Sequence, residues 1–302
     1  MTDFNDPGVY QAVLQGLQTG VYLVDRDRRI RFWNASAEQI TGYLSQDVVG
    51  RLLRDHLMVN LNDPNGNKNA TDPISAVFRD GKSSTTDVSI LHKDGYRIPI
   101  VLHTIPICDR QGKVVGAAES FEKNQGASDW ARRQAGLADF GCLDEVTGAP
   151  SQSFMETQLR ENLITFAEHH IPFGVMLIQI DHMDVIRSTC GPAVMPTILR
   201  VVAQTLENCL RPNDLLGCWS EKLFLAILME CKESEVSRVG ERVRNMVGQS
   251  EIEWWGDVFS VTCSFGGAGS RMGDTTDLLI ERAARSLQGS VDQGGNCVTT
   301  LE

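Results

Sequence analysis

An arginine and an aspartate lie three residues apart at Arg211 and Asp214, and a second arginine follows at Arg242. A guanidinium group carries a planar fork of donors that can bind the O6 and N7 edge of guanine, or a phosphate, in a bidentate manner. An aspartate can accept from guanine N1 and N2. The same pair could instead cap and pair at a turn between a helix and a strand. These residues alone therefore leave both a ligand site and a structural turn open.

The cysteines and histidines give little support for metal chemistry. The eight cysteines occur singly, without a Cys-x-x-Cys pair, which favours buried reduced thiols over zinc or redox chemistry. Histidine is the usual haem ligand. We expect His92 in a turn and exposed to solvent, and His103 on a strand as an ordinary satisfied side chain. His56 is then the one candidate haem ligand, and haem is not expected.

The composition is that of a soluble globular protein. The chain has 302 residues, of which 42% are hydrophobic and 22% are charged, enough for two cores of ordinary domain size. A net charge of −11 disfavours binding to nucleic acid. No window reaches the roughly 18 apolar residues that a membrane span requires, and residues 1–7 show no signal-peptide pattern. The sequence therefore predicts a cytoplasmic protein without a membrane span.

Short strands and turns alternate through the first half of the chain. Apolar residues on a two-residue period flank the turn Asp25-Arg26-Asp27-Arg28, which predicts a hairpin. A short helix is predicted from Ala35 to Thr41, ending at Gly42. Three strands are predicted to follow, at Thr86 to Leu91, Tyr96 to Ile107 and Val114 to Phe121.

This order of elements resembles the PAS family over roughly residues 10–123. The motifs that carry the resemblance include Gly20-Val21-Tyr22-Leu23-Val24-Asp25, Phe32-Trp33-Asn34 and Lys93-Asp94-Gly95. The resemblance implies an α+β sensor or dimerisation domain over residues 8–123, with an antiparallel five-stranded sheet and flanking helices. Such a domain binds a small ligand or only packs and dimerises, and the sequence does not identify a ligand.

Self-association is expected through the first half. Val9, Val13, Leu14 and Leu17 lie at helical spacing before the first strand, forming an apolar stripe that burial in a partner would cover. We therefore expect a homodimer. Residues 124–141 are predicted to form a short helical linker, in which Trp130, Leu137 and Phe140 have a and d spacing. A coiled coil across the dimer and a helix packed on its own domain both remain open.

The second half alternates helices with strands, which predicts an α/β layer fold. Helices are predicted at Ser153 to His169, Thr197 to Leu210, Ser234 to Val247 and Thr276 to Leu287, and strands at Phe173 to Ile180, within Leu215 to Met229, and at Phe259 to Phe265. With the opening Asp144-Glu145-Val146-Thr147-Gly148, this order resembles GGDEF domains over residues 142–302. The resemblance implies a mixed sheet flanked by helices, and an activity that joins two GTP molecules into cyclic di-GMP with magnesium.

The sequence departs from the GGDEF pattern at the positions implied to do this chemistry. The first metal position is Gln179, although Asp181 is retained. The signature hairpin reads Ser220-Glu221-Lys222-Leu223-Phe224, and Lys222, a cation that would repel magnesium, stands at the second metal position. The implied base-reading positions hold Arg187 and Pro196, and the implied phosphate-contacting positions hold Val291 and Gly295. From these replacements we expect no magnesium and no cyclase activity, so that the chain would not be an enzyme.

The resemblance also maps a product-binding inhibitory site onto Arg211, Asp214 and Arg242. The sequence thus predicts a bacterial signal-transduction protein, in which a PAS sensor is coupled to a catalytically inactive GGDEF-like domain. That domain would act as an effector for an unidentified signalling protein and bind cyclic di-GMP at Arg211, Asp214 and Arg242. The alternative is an active diguanylate cyclase that makes cyclic di-GMP from two GTP molecules.

Overall fold

The first unit of the chain, Met1–Asn124, is built on one antiparallel sheet. A computed structural model describes residues 6–53, 60–61, 72–123, 137–138 and 141–300 of the protein. The elements of this unit are α1 (Pro7–Gly16), β1 (Gly20–Asp25), β2 (Ile30–Trp33), α2 (Ala35–Thr41), α3 (Ser45–Val48), β3 (Asn60–Leu61), α4 (Pro73–Asp80), β4 (Ser84–Leu91), β5 (Arg97–Cys108) and β6 (Val114–Lys123). The strand order is β2-β1-β6-β5-β4-β3. The predicted five-stranded antiparallel sheet is confirmed, and the two-residue β3 extends it at one edge.

Side-chain caps and turns set the ends of these elements. The side chain of Asn34 accepts a hydrogen bond from the backbone of Ala37 and so begins α2, which ends at Gly42 with a left-handed φ of 76°. In the hairpin between β1 and β2, the Asp25 carboxylate accepts from the backbone N–H groups of Asp27 and Arg29, at 2.9 and 3.0 Å. The predicted hairpin and helix are both confirmed.

The second unit, Gln125–Glu302, has a mixed sheet covered by helices. Its elements are α5 (Gln152–His169), β7 (Gly174–Ile180), α6 (Met183–Cys190), a 3₁₀ turn (Pro192–Val194), α7 (Met195–Cys209), β8 (Leu215–Ser220), β9 (Leu223–Leu228), α8 (Glu233–Val247), β10 (Ile252–Trp254), β11 (Asp257–Phe259), β12 (Cys263–Gly269), α9 (Thr276–Asp292) and β13 (Val298–Thr300). The main sheet has the order β13-β12-β7-β9-β8, and only the β12–β13 pair among its described pairs is parallel. The predicted α/β fold is confirmed.

Three short elements differ from the sequence prediction. The residues of α6, where no helix was predicted, form one that buries Met183 and begins after His182, whose φ is 54°. The predicted strand from Phe259 to Phe265 is divided, because Phe259 ends the separate β10–β11 hairpin and the sheet strand begins only at Cys263. The strand β13 was not predicted. The strands β10, β11 and β13 have three residues each, which is too few to show a repeated alternation of apolar and polar side chains.

Some predictions lie outside the described residues. These are the candidate haem ligand His56, most of the predicted linker over residues 124–141, and the Trp130 and Phe140 positions of its apolar stripe. None of the described helices has the length and the apolar character needed to cross a membrane.

Candidate functional site

The turn between α7 and β8 places Arg211 and Asp214 at one end of the main sheet. One carboxylate oxygen of Asp214, Oδ2, accepts from the backbone N–H of Arg211 at 2.9 Å, and Oδ1 accepts from the N–H of Met229 at 3.0 Å. These bonds fix the turn against the end of β9. Burial raises the pKa of Asp214, against the opposing effect of these two hydrogen bonds and of the charges on Arg211 and Arg242.

A groove opens beside this turn, between the sheet and α8. It is lined by Arg211, Asp214, Leu228, Met229, Cys231, Glu235, Arg238 and Val239. Arg238 was not predicted as a site residue, although it lies four residues before Arg242 on α8, a spacing that puts both side chains on the same helix face. Two exposed arginines, Arg211 and Arg238, therefore line the groove around one buried carboxylate.

Arg242 lies beside the groove and does not line it. Its Nη2 donates to the carbonyl oxygen of Cys209 at 2.8 Å, at the last residue of α7. A cation is favourable at this point, because the carboxyl end of a helix carries partial negative charge. The structure thus brings Arg211 and Asp214 together in one turn, while Arg242 joins α8 to the end of α7.

The signature hairpin joins β8 to β9 through Glu221 and Lys222. Ser220, Glu221 and Lys222 are exposed, whereas Phe224 is buried in the sheet. The Nζ of Lys222 lies 3.0 Å from Oδ1 of Asp184 on α6, and both side chains are at least half exposed. On the sheet, Leu223 pairs with Gln179 of β7. Gln179, at the first implied metal position, is therefore the neighbour of Leu223 in the signature hairpin.

Asp181, directly after β7, is buried and accepts three hydrogen bonds. It accepts from the hydroxyls of Thr262 and Ser264 at 2.7 and 2.6 Å, and from the backbone N–H of Asn296 at 2.9 Å. A Cβ at Gly295, whose φ is 82°, would lie 3.0 Å from this carboxylate. Close approach and positive φ both favour glycine there.

The described residues do not fit magnesium at these positions. The oxygens of Asp181 are already engaged, Lys222 is a cation, and Gln179 offers only a neutral amide. Within the described part of the chain, no cluster of three or more His, Cys, Asp or Glu side chains could hold a metal. We therefore derive no step through a bound metal.

The remaining implied nucleotide positions lie on α6, on α7, on α9 and in the loop before β13. Arg187 is exposed on α6, and Pro196 is exposed in the first turn of α7. Val291 packs against the apolar core from α9. Asn296 is held by the guanidinium of Arg244, which donates to its side-chain oxygen at 3.0 Å.

His92, expected to be solvated, is buried. Its ring stacks on Tyr96 with centroids 4.2 Å apart, and its Nδ1 accepts from the backbone N–H of Asp94 at 3.1 Å. Burial lowers the pKa of His92 to about 4. The expectation was wrong because a turn residue can be covered by a neighbouring ring. His103 is exposed on β5, with Nδ1 2.8 Å from the Thr85 hydroxyl.

A buried acidic group in the first unit was also missed. Glu119 on β6 is 1% exposed and accepts hydrogen bonds from the hydroxyls of Tyr22 and Thr104. Burial raises the pKa of Glu119 to about 7. The sequence did carry a signal for this burial. Side chains alternate along a strand, so Glu119 on β6 points to the same side as Ala117 and Phe121, which are both buried.

Comparison with known proteins relates both units to families. Residues 142–297 match the family described as "Diguanylate cyclase, GGDEF domain". The chain belongs to this family. Residues 8–118 match the family described as "PAS fold", so a PAS domain precedes the GGDEF domain.

The relatives support the same assignment. Diguanylate cyclase A of Treponema denticola is 27% identical over 167 residues, covering 54% of this chain and 45% of that protein. Diguanylate cyclase DosC of Escherichia coli K12 is 25% identical over 157 residues, covering 52% of this chain and 34% of that protein. The chain thus spans less than half the length of these curated relatives. The GGDEF domain of DgcB from Caulobacter crescentus, solved in complex with c-di-GMP, shares the fold, with a TM-score of 0.51, 21% identity, and coverage of 53% of this chain and 93% of that one.

These relatives correct one prediction from the sequence. The expectation that the chain is not an enzyme is wrong, because the proteins that its second half resembles are named diguanylate cyclases, which are enzymes. The chain is a PAS and GGDEF signalling protein of the diguanylate cyclase family.

Proposed function

We propose that this chain acts in cyclic di-GMP signalling, forming cyclic di-GMP from two GTP molecules and binding the dinucleotide in the groove beside Arg211. The match over residues 142–297 and the names of the relatives support the synthesis. The observation that carries the binding is the pair of exposed arginines around a buried aspartate.

The groove has the chemistry to bind a guanine base and a phosphate. The guanidinium groups of Arg211 and Arg238 are exposed, so each can present its donors to the O6 and N7 edge of guanine or to a phosphate oxygen. Leu228, Met229 and Val239 supply apolar walls. Asp214 stabilises the turn that carries Arg211 and adds an acceptor at the floor of the groove. Arg242 acts as a positioning residue, because it holds α8 against the end of α7.

The synthesis is proposed from family membership, and the replaced positions predict a low rate. Gln179 and Lys222 stand where the family pattern implies metal-ligating acids, and loss of one transition-state contact costs on the order of 10²-fold in rate. The positive charge of Lys222 also repels a cation that is bound to the triphosphate of GTP. Replacing Lys222 would break its ion pair with Asp184, whose side chain is exposed.

The test of synthesis is product formation by the full chain with GTP and magnesium, quantified by chromatography. We expect cyclic di-GMP above a heat-killed control, and at least about tenfold more product from Lys222→Asp, because an acid replaces the cation at the hairpin. Lys222→Met serves as the matched control that removes the positive charge without adding an acid. Absence of product from the wild type would overturn the synthesis, whether or not Lys222→Asp is active.

The PAS domain is proposed as the input and dimerisation half. Joining two GTP molecules requires two nucleotide-binding domains to meet, and a homodimer formed through the PAS half would supply the second. We propose the cytoplasm as the compartment, and an unidentified signalling protein as a further partner.

A further inference from the structure

The β10–β11 hairpin carries a side chain that the fold does not use. We call residues 251–259 the tryptophan hairpin. Its register pairs Ile252 with Phe259, Glu253 with Val258, and Trp254 with Asp257. Ile252 is fully buried, and β10 packs against α7, so the hairpin is fixed to the body of its domain.

The outer face and tip of this hairpin expose apolar surface. Side chains alternate across a strand, so Glu253 and Val258 face away from the side that holds Ile252 and Phe259. Val258 is 59% exposed, and Trp255 at the tip is 91% exposed. The tip indole packs edge-on against Trp254, with ring centroids 6.4 Å apart. Almost all of the Trp255 ring therefore remains available to another molecule.

Neither the turn nor the core requires tryptophan at this position. Trp255 and Gly256 have φ of 54° and 89°, the consecutive left-handed pair of a two-residue hairpin turn of type I′. Asparagine and glycine are preferred at the first of these positions, and a larger side chain there is sterically disfavoured. The ring gains almost no burial in return, so the fold gives no reason for its presence.

The charge around the tip is negative. Glu253 and Asp257 lie within two residues of Trp255 along the hairpin, and neither forms an ion pair with any residue in the described part of the chain. The chain as a whole has a net charge of −11. An exposed indole beside carboxylates attracts guanidinium and ammonium groups, which bind the ring face and the acids together. The same charges repel nucleotides, anionic lipids and the equivalent hairpin of a second copy.

We propose that the tryptophan hairpin is a docking element for a basic and apolar segment of another protein. An arginine or lysine of that segment lies on the indole of Trp255, a neighbouring cation pairs with Glu253, and an apolar side chain covers Val258 on the same face. This site goes beyond the proposed function, because it lies on residues outside the groove and outside the signature hairpin.

The test uses the full chain and a labelled synthetic peptide of alternating arginine and leucine, followed by fluorescence anisotropy. Trp255→Asn removes the indole but keeps a residue that suits the turn, so the hairpin should remain folded. We expect the peptide to bind the wild type and to bind Trp255→Asn about tenfold more weakly or worse. Met272→Asn, which removes another apolar side chain that is 66% exposed, is the matched control and should bind as the wild type does. A peptide with glutamate in place of arginine should not bind.

Three results would overturn the proposal. Equal binding of the basic peptide by Trp255→Asn would show that the indole is not the docking point. A lower mass of Trp255→Asn than of the wild type in light scattering would assign the surface to a second copy. A blue-shifted Trp255 emission in the free chain, obtained from the difference between wild-type and Trp255→Asn spectra, would show that another part of the same chain covers it. Cyclic di-GMP binding by Trp255→Asn should be unchanged, which separates this site from the groove.

Discussion

The buried side chain of Glu119 makes the free energy of unfolding of this protein depend on pH. The folded state keeps the proton of Glu119 up to about pH 7, whereas the ordinary pKa of glutamate is 4.5. The native state therefore binds more protons than the unfolded chain between these values, and the free energy of unfolding falls as the pH rises through them. A shift of this size corresponds to about 3 kcal/mol.

We predict that raising the pH from about 5 to about 8 lowers the melting temperature of the PAS domain in the full chain, because Glu119 becomes charged inside the core. Glu119→Gln, which keeps the shape and removes the titration, should flatten this slope. The two proteins are compared with each other because His92 adds a second pH dependence of opposite sign. Its pKa is lowered by burial, so the free energy of unfolding decreases as the pH falls below 6.5. Identical slopes in thermal unfolding followed by circular dichroism would contradict the assignment.

At the residue scale, the sequence located part of the candidate site. Arg211 and Asp214 could be predicted because they resemble the Arg-x-x-Asp pattern of the family at its spacing before the signature hairpin. Arg238 and the buried state of His92 could not, because each depends on which helix or ring packs nearby. Glu119 was missed because an acidic residue on a strand is usually expected to face solvent.

At the element scale, the long helices and the central strands were predictable from their hydrophobic period. The predicted helix from Thr276 extends to Asp292, and the predicted strand ending at Ile180 forms β7, which lies at the centre of the main sheet. The tryptophan hairpin and β13 have three-residue strands, so their existence is decided by tertiary pairing and not by local pattern.

Gly266 on β12 lets α9 pack closely against the main sheet. A Cβ there would lie 2.1 Å from the backbone nitrogen of Leu287 and 2.3 Å from the carbonyl oxygen of Ala283, so α9 would have to move away from the sheet. We predict that Gly266→Ala destabilises the GGDEF domain by about 2 kcal/mol or more in urea unfolding. Gly289→Ala, in α9 with its nearest contact at 3.6 Å, is the control and should be neutral or stabilise by about 0.5–1 kcal/mol. Equal effects of the two substitutions would show that the helix is not held this closely.

At the scale of the whole molecule, we expect the protein to self-associate through the exposed side of α1. None of its residues is buried, and Tyr10 and Val13 are 57% and 58% exposed. We predict that the full chain scatters light as a dimer at high micromolar concentration and that Val13→Asp shifts it toward the monomer, because a charge in an apolar interface is costly. Val185→Asp, at an equally exposed valine of α6, should leave the mass unchanged. A monomeric wild type would contradict the prediction.

Calorimetric titration of the full chain with cyclic di-GMP tests whether the dinucleotide binds in the groove beside Arg211. Arg211 is exposed in the groove, and a charge-assisted hydrogen bond contributes roughly 1.5–3 kcal/mol. We predict that the wild type binds, that Arg211→Ala binds about tenfold more weakly or worse, and that Lys222→Ala, the matched control at the signature hairpin, binds as the wild type does. Loss of binding in Lys222→Ala with no change in Arg211→Ala would contradict this prediction, because the dinucleotide would then lie at the signature hairpin and not in the groove.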